Sequence, residues 1–159
     1  MEKIDRLLKN GIFVQNMQLI EEYEKNRQFC LHGIEHSLDV ARICYIICLE
    51  NQLGYSKELI YAMALLHDIG RALEYKGLGV HHEEGARLAE SILREAGFNA
   101  DETDRIVDAI LCHKMSQEPD GSLRWLLFKA DKLSRSCHSC RMYRECYWSE
   151  ELKNKTVVY

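Results

Sequence analysis

One proline in 159 residues, and no run of alternating β-branched residues, leave little case for a β-sheet. No apolar stretch is long enough to cross a bilayer. No N-terminal segment runs from charged to apolar to small residues, as a signal peptide would. A cytoplasmic protein is therefore expected. Positive charge is not in excess either. The formal net charge of −4 argues against a general nucleic-acid binder, which needs a cationic surface, although Lys129, Lys132, Arg135, Arg141 and Arg144 gather late in the chain. Seven cysteines, an odd number without an export signal, do not suggest a disulfide framework.

What remains is an ordinary globular composition, 47% apolar and 29% charged, and a length that fits one domain. The pattern is helical nearly throughout. Helices are expected from residue 2 to about 9, stopped by Asn10-Gly11, and from about 14 to 26. A third runs from 33 or 34 to about 53, where Gly54 ends it. Its buried stripe is Val40, Cys44, Ile47 and Cys48. Ser56 caps a fourth, with Leu59, Ala62, Met63 and Leu66 facing inward. Residues 74–80, with two glycines, read as a connection. A fifth helix follows from about 82 to 96. A sixth, capped by Asp101, runs from 102 to about 114. After a loop at 115–122 comes a seventh, from about 123 to 134. The expected fold is thus all-α: one helical bundle over 1–136 of about seven helices, with a short cysteine-rich tail, 137–159, packed on it.

The chemistry gathers around Leu65-Leu66-His67-Asp68-Ile69-Gly70-Arg71. A His-Asp pair alone is weak evidence. Here His36 precedes it on its own helix, His81 and His113 follow, and Asp131 lies on a later helix. Four imidazoles and two carboxylates make a ligand set suited to first-row transition metals, and iron, manganese, nickel and cobalt all accept it. Asp68 has two oxygens and could bridge two ions, with His81 and His113 completing the shell of the second. Two ions about 3.5–4 Å apart can activate a water and stabilise both oxygens of a phosphoryl displacement. Asp68 and His67 are the catalytic candidates. Arg71, Lys114 and His32 are candidate phosphate contacts. Lys132 is expected to face solvent, and His82 to lie outside the ligand set.

The order His36-Ser37-Leu38-Asp39, His67-Asp68 and Ala130-Asp131-Lys132-Leu133 resembles the HD-domain metal-dependent phosphohydrolase superfamily, over about residues 30–135. His81-His82-Glu83-Glu84-Gly85-Ala86 and Leu111-Cys112-His113 resemble its dinuclear branch, in which a His four residues before a Gly-Ala pair is a ligand. That selects His81 over His82. The nearest likeness is to bacterial hydrolases of symmetrical dinucleoside tetraphosphates, which implies a di-iron or similar centre. The resemblance implies metal-activated water cleaving a phosphoester or phosphoanhydride of a small, nucleotide-like substrate. Arg71 stands where the superfamily often has Lys, and its fork suits phosphate. His113 is followed by Lys114, and no Gly-Tyr-Pro motif is present, which argues against cyclic-dinucleotide cleavage. A di-iron oxygenase and a catalytically quiet nucleotide-binding regulator are the alternatives. Oligomeric state is left open.

A second feature is Cys137-x2-Cys140-x5-Cys146. A Cys-x-x-Cys turn can present two thiolates to one metal. A fourth ligand could come from His138, Cys112 or Cys30. Zinc or an iron–sulfur cluster are the candidate occupants, and three reduced thiols on an aromatic tail are the alternative. Cys44 and Cys48 read as core packing.

Overall fold

The computed structural model describes residues 1–114 and 119–159. Among these there are eight α-helices, one 3-10 turn and no strand. The helices are α1 (Glu2–Leu8), α2 (Gly11–Glu24), α3 (Ile34–Glu50), α4 (Lys57–Leu66), α5 (Arg71–Tyr75), α6 (His81–Ala96), α7 (Ala100–Cys112) and α8 (Leu123–Leu133). The 3-10 turn is Cys137–Ser139. The all-α bundle expected from the periodicity is present, with α5 added to the seven helices foreseen.

Local chemistry sets the helix ends. Asn10 does more than stop α1: its side chain accepts from the N–H groups of Ile12 and Phe13, so α2 starts at Gly11. Ser56 caps α4 as expected, through Leu59 N. For α7 the cap is Asn99, not Asp101. Asn99 accepts from Glu102 N, and Glu102 returns the bond to Asn99 N, a reciprocal capping box. Gly97, in the left-handed region at φ 89°, closes α6, and Phe98 N donates back to Leu93 O. The expected loop over 115–122 lies partly outside the described residues. At its end, Ser122 accepts from Trp125 N and starts α8.

Helix α3 packs against α4 and α8, α6 against α7, and α7 also meets α4 and α8. Their apolar stripes meet in one core, where Ile47, Ile60, Met63, Leu66, Ile92, Ile106 and Ile110 are fully buried. Each such side chain contributes roughly 1.5–3 kcal/mol of burial. Cys44 and Cys48 belong to this core, and the Cys44 thiol is pushed up by burial.

Helix α1 is tied to the α6–α7 corner by polar contacts. Lys3 Nζ lies 2.6 Å from Glu102 Oε2, Arg6 Nε donates to Ala96 O at 2.8 Å, and Asn10 Nδ2 donates to Glu95 Oε2 at 2.7 Å. At the other end of the chain, Asn154 Nδ2 donates to Lys132 O at 2.7 Å and Arg135 O at 2.8 Å, holding the tail on α8. No helix among the described residues is long and apolar enough to cross a membrane.

Candidate metal centre

Five helix ends meet at one place. His36 lies in the first turn of α3, His67 caps the C-terminus of α4, His81 opens α6, His113 caps α7, and Asp131 sits in the last turn of α8. Asp68 follows His67 in a tight turn closed by Ile69 N to Leu66 O and Arg71 N to Asp68 O. That turn is pressed against α6. A Cβ on Gly70 would lie 2.0 Å from His81 O and 2.4 Å from Gly85 N, so only glycine permits this approach.

The two oxygens of Asp68 face different histidines. Oδ2 is 3.2 Å from His67 Nε2 and 3.8 Å from His36 Nε2. Oδ1 is 3.7 Å from His81 Nε2 and 4.0 Å from His113 Nε2. Asp131 joins the first side, with Oδ1 3.3 Å from His36 Nε2 and 3.9 Å from His67 Nε2. All six expected ligand residues therefore converge. His36, His67 and Asp68 form one group that could hold an ion, and Asp68, His81 and His113 form another.

The outer nitrogen of each ring has a partner. His67 Nδ1 donates to Ala64 O at 2.7 Å, and His113 Nδ1 donates to Ile110 O at 2.5 Å. His81 Nδ1 donates to Glu74 Oε1 at 2.8 Å. Ser134 Oγ donates to Asp131 O and so accepts from His36 Nδ1 at 3.2 Å. These partners assign Nδ1 as the protonated nitrogen and turn four Nε2 lone pairs toward the carboxylates. Lone pairs facing carboxylate oxygens cannot hydrogen-bond one another. Accordingly His67 Nε2, His81 Nε2 and Asp68 Oδ1 are buried without a hydrogen-bond partner. A buried acceptor cluster of this kind can be satisfied by a cation. Imidazoles and carboxylates with outer partners on the imidazoles are the donor set a transition metal takes.

Charge is strongly coupled across the centre, where a proton and a metal ion would compete for the same ring nitrogens. Burial raises the pKa of Asp68, but the charges of His67 and Arg71 outweigh it and hold the carboxyl well below its usual range. Asp131 is likewise held low despite burial, by His36, His67, Lys132 and Arg135. Burial drives His36 and His113 down to about 4 and also lowers His81. His67 is raised, because Asp68 overcomes the cost of burying its charge.

The candidate substrate contacts fare differently. Arg71 Nε lies 2.9 Å from Asp68 Oδ1 as an ion pair without hydrogen-bond alignment. His32 is buried, with its N–H and Nδ1 both bonded to Glu24, at 2.7 and 2.5 Å. Tyr75 OH donates to the same carboxylate. These bonds outweigh burial and hold the Glu24 carboxyl down to about 2. Arg71 and His32 line a cavity of about 440 Å³ beside the centre, together with His36 and Asp131. Lys114 is exposed and is not among the described residues lining it. Lys132, expected in solvent, instead reaches Asp131 Oδ2 at 2.6 Å. His82 stacks edge-on to His81, outside both ligand groups.

Four participants escaped the sequence reading: Glu74, Ser134, Arg135 and Glu24. Arg135 Nη2 donates to His36 Nε2 at 2.9 Å and Asp131 Oδ1 at 3.3 Å. Only for Arg135 was there a sequence signal, its place four residues after Asp131 on the same helical face.

Comparison with known proteins adds three findings. Residues 33–136 match the HD domain family model. An uncharacterized protein of Clostridium beijerinckii is 36% identical over 159 residues, the full length of both chains. Ribonuclease Y of Geobacter sulfurreducens is 33% identical, and that of Pelobacter propionicus 34%, over 125 residues; each match takes in 79% of this chain and 22% of the ribonuclease. The chain thus spans about a fifth of the ribonuclease Y length. No solved structure matches it.

Proposed function

Since the chain belongs to the HD domain family, we propose that it is a metal-dependent phosphohydrolase that cleaves a phosphoester or phosphoanhydride of a nucleotide-like substrate. The observation that carries the reading is the set of buried acceptors that make no hydrogen bond, His67 Nε2, His81 Nε2 and Asp68 Oδ1, arranged around a carboxylate with histidines on both oxygens. His36, His67, Asp68 and Asp131 would hold one divalent transition-metal ion, and Asp68, His81 and His113 a second. Such ions supply a water acidified to near neutral pH and a positive charge for phosphoryl oxygens.

The protein's own side chains do the rest. Ser134, Ala64, Glu74 and Ile110 fix the four rings, so no reorganisation is needed at the moment of reaction. The adjoining cavity suits a nucleotide-sized ligand. Arg71, Lys132 and Arg135 bring guanidinium and ammonium groups to its inner end, beside the carboxylates, where a phosphate would enter. Tyr147 and Trp148 offer faces on which a base can stack. The ribonuclease names of the relatives favour a phosphodiester, and RNA ends belong in the substrate panel beside mononucleotides and dinucleoside polyphosphates. Free thiols at all seven cysteines suit a reducing, cytoplasmic setting.

The test is elemental analysis of anaerobically purified protein, followed by a phosphate- and nucleotide-release screen with the metal it carries. Turnover is expected, and Asp68→Ala should lose metal and activity together. Asp68→Ala with full metal and full turnover would overturn the reading, as would oxygen consumption in place of hydrolysis. Tight nucleotide binding without turnover under every metal would also overturn it.

A further inference from the structure

A second group of metal-ligating side chains lies across the same cavity. Cys30 comes from the loop between α2 and α3. Cys137 opens the 3-10 turn, Cys140 closes it with its N–H on Cys137 O at 3.1 Å, and Cys146 follows in the tail. All four line the cavity of about 440 Å³, and all four are free thiols.

We propose that Cys30, Cys137, Cys140 and Cys146 are the thiolate ligands of an iron–sulfur cluster, a site separate from the His/Asp centre. Three observations lead there. First, the fold brings Cys30 from far upstream to the three tail cysteines. Three clustered cysteines with one remote partner is a cluster spacing, whereas structural zinc usually takes two close pairs. Second, no three of these sulfurs lie within 4.8 Å of one another. A lone zinc with bonds of about 2.3 Å draws its sulfurs into a tetrahedron with edges of about 3.8 Å, whereas a cluster spans wider gaps. Third, the surroundings are cationic. Arg135 and Lys153 line the same cavity, and Arg27 Nε donates to Cys30 O at 2.9 Å. These charges offset the negative charge that four thiolates bring.

Supporting this, the Cys30 thiol is pushed up by burial, against the pull of Arg135, and further by Cys140, Cys137 and Cys146, so the four sulfurs are within electrostatic reach of one another. The other candidate fourth ligands sit elsewhere. His138 lines a different cavity, and Cys112 lies on α7 beside His113, not on this wall. The cluster would pin the tail against the α2–α3 loop and so set one wall of the substrate cavity.

The test uses the full-length protein, purified anaerobically or reconstituted with ferrous iron and sulfide. Acid-labile sulfide is the deciding count, because the His/Asp centre takes none. About four sulfides per chain and a visible absorption band bleached by dithionite are expected. Cys140→Ser and Cys30→Ser should each lose sulfide and band while keeping the helical circular dichroism of the parent. Cys112→Ser should keep both. If a variant fails to fold, alkylation of the native protein decides. Cys30, Cys137, Cys140 and Cys146 should be protected together, and be labelled once a chelator has removed the iron. Three results would overturn the proposal: no sulfide after reconstitution, one zinc per chain that is lost in Cys140→Ser, or full sulfide retained in Cys30→Ser.

Discussion

Replacing Gly70 by alanine adds one methyl group where two backbones touch. That methyl would sit 2.0 Å from His81 O, against the 3.4 Å or more of an ordinary contact. The α4–α5 turn and the start of α6 must therefore part by about 1.4 Å, the difference between those two distances. Backbone cannot rotate away as a side-chain tip can. An overpacked site of this kind costs about 1–3 kcal/mol, which lowers Tm by roughly 2–12 °C for a chain of this size. The same shift moves His81 away from Asp68 Oδ1, from which its Nε2 is now 3.7 Å. Ligand distances in metal sites tolerate only about 0.2 Å, so metal on the His81–His113 side should bind about 10–100-fold more weakly. Calorimetric metal titration and thermal melts read both effects. Two alanine variants are controls. At Gly85 the added Cβ meets Gly70 N at 3.4 Å and Ile110 at 3.6 Å, and at Gly11 it meets nothing within 4 Å. Both should melt within about 1 kcal/mol of the parent. If Gly70→Ala melted and bound metal like Gly85→Ala, the close approach would not be what builds the Oδ1 side.

Glu24→Gln should destabilise the protein by about 3 kcal/mol near neutral pH, because the carboxyl is held down from 4.5 to about 2 by His32 and Tyr75 against burial. A carboxyl with a lowered pKa stabilises fully above its unfolded value and loses that effect as pH falls toward the folded one. Denaturant melts of parent and variant should therefore differ above about pH 4.5 and converge near pH 2; a constant gap would refute the assignment. Glu74→Ala removes the acceptor for His81 Nδ1 and should weaken metal binding about 10–100-fold with little change in melting, as titration would show. Asn99→Ala breaks the capping box of α7 and should cost about 1 kcal/mol in a urea melt. Arg135→Met keeps the stem and removes the fork. It should raise KM far more than it lowers kcat, if the guanidinium contacts substrate phosphate.

The helices were legible because a 3.6-residue apolar period is long and redundant: α3 alone repeats it over four turns. α5 was not, since the five residues from Arg71 to Tyr75 are too few to show a period. The expected Asp101 cap of α7 gives way to Asn99, two residues earlier, because both residue types can cap. The deciding signal was in plain view, a glutamate three residues after Asn99. Histidines and aspartates at helix ends stand out against an apolar pattern, but His81 is told from His82 only through the resemblance to the dinuclear branch. Their outer partners do not stand out. Glu74 is an ordinary surface-type residue until α6 begins beside it, and Ser134 acquires meaning only when α3 crosses α8. Lys132 adjoins Asp131 on α8, and adjacent helix positions do not share a face, yet its long stem curls back onto Asp131.

The polar rivets from Lys3, Arg6 and Asn10 to the far corner of α6 and α7 have a dynamic consequence. His81 and His113 ride at the opposite ends of those two helices. Backbone amides along the pair should therefore exchange with deuterium in step with those of the opening helix. Loosening the first ten residues would let the second pair of imidazoles breathe, although none of those residues comes near them.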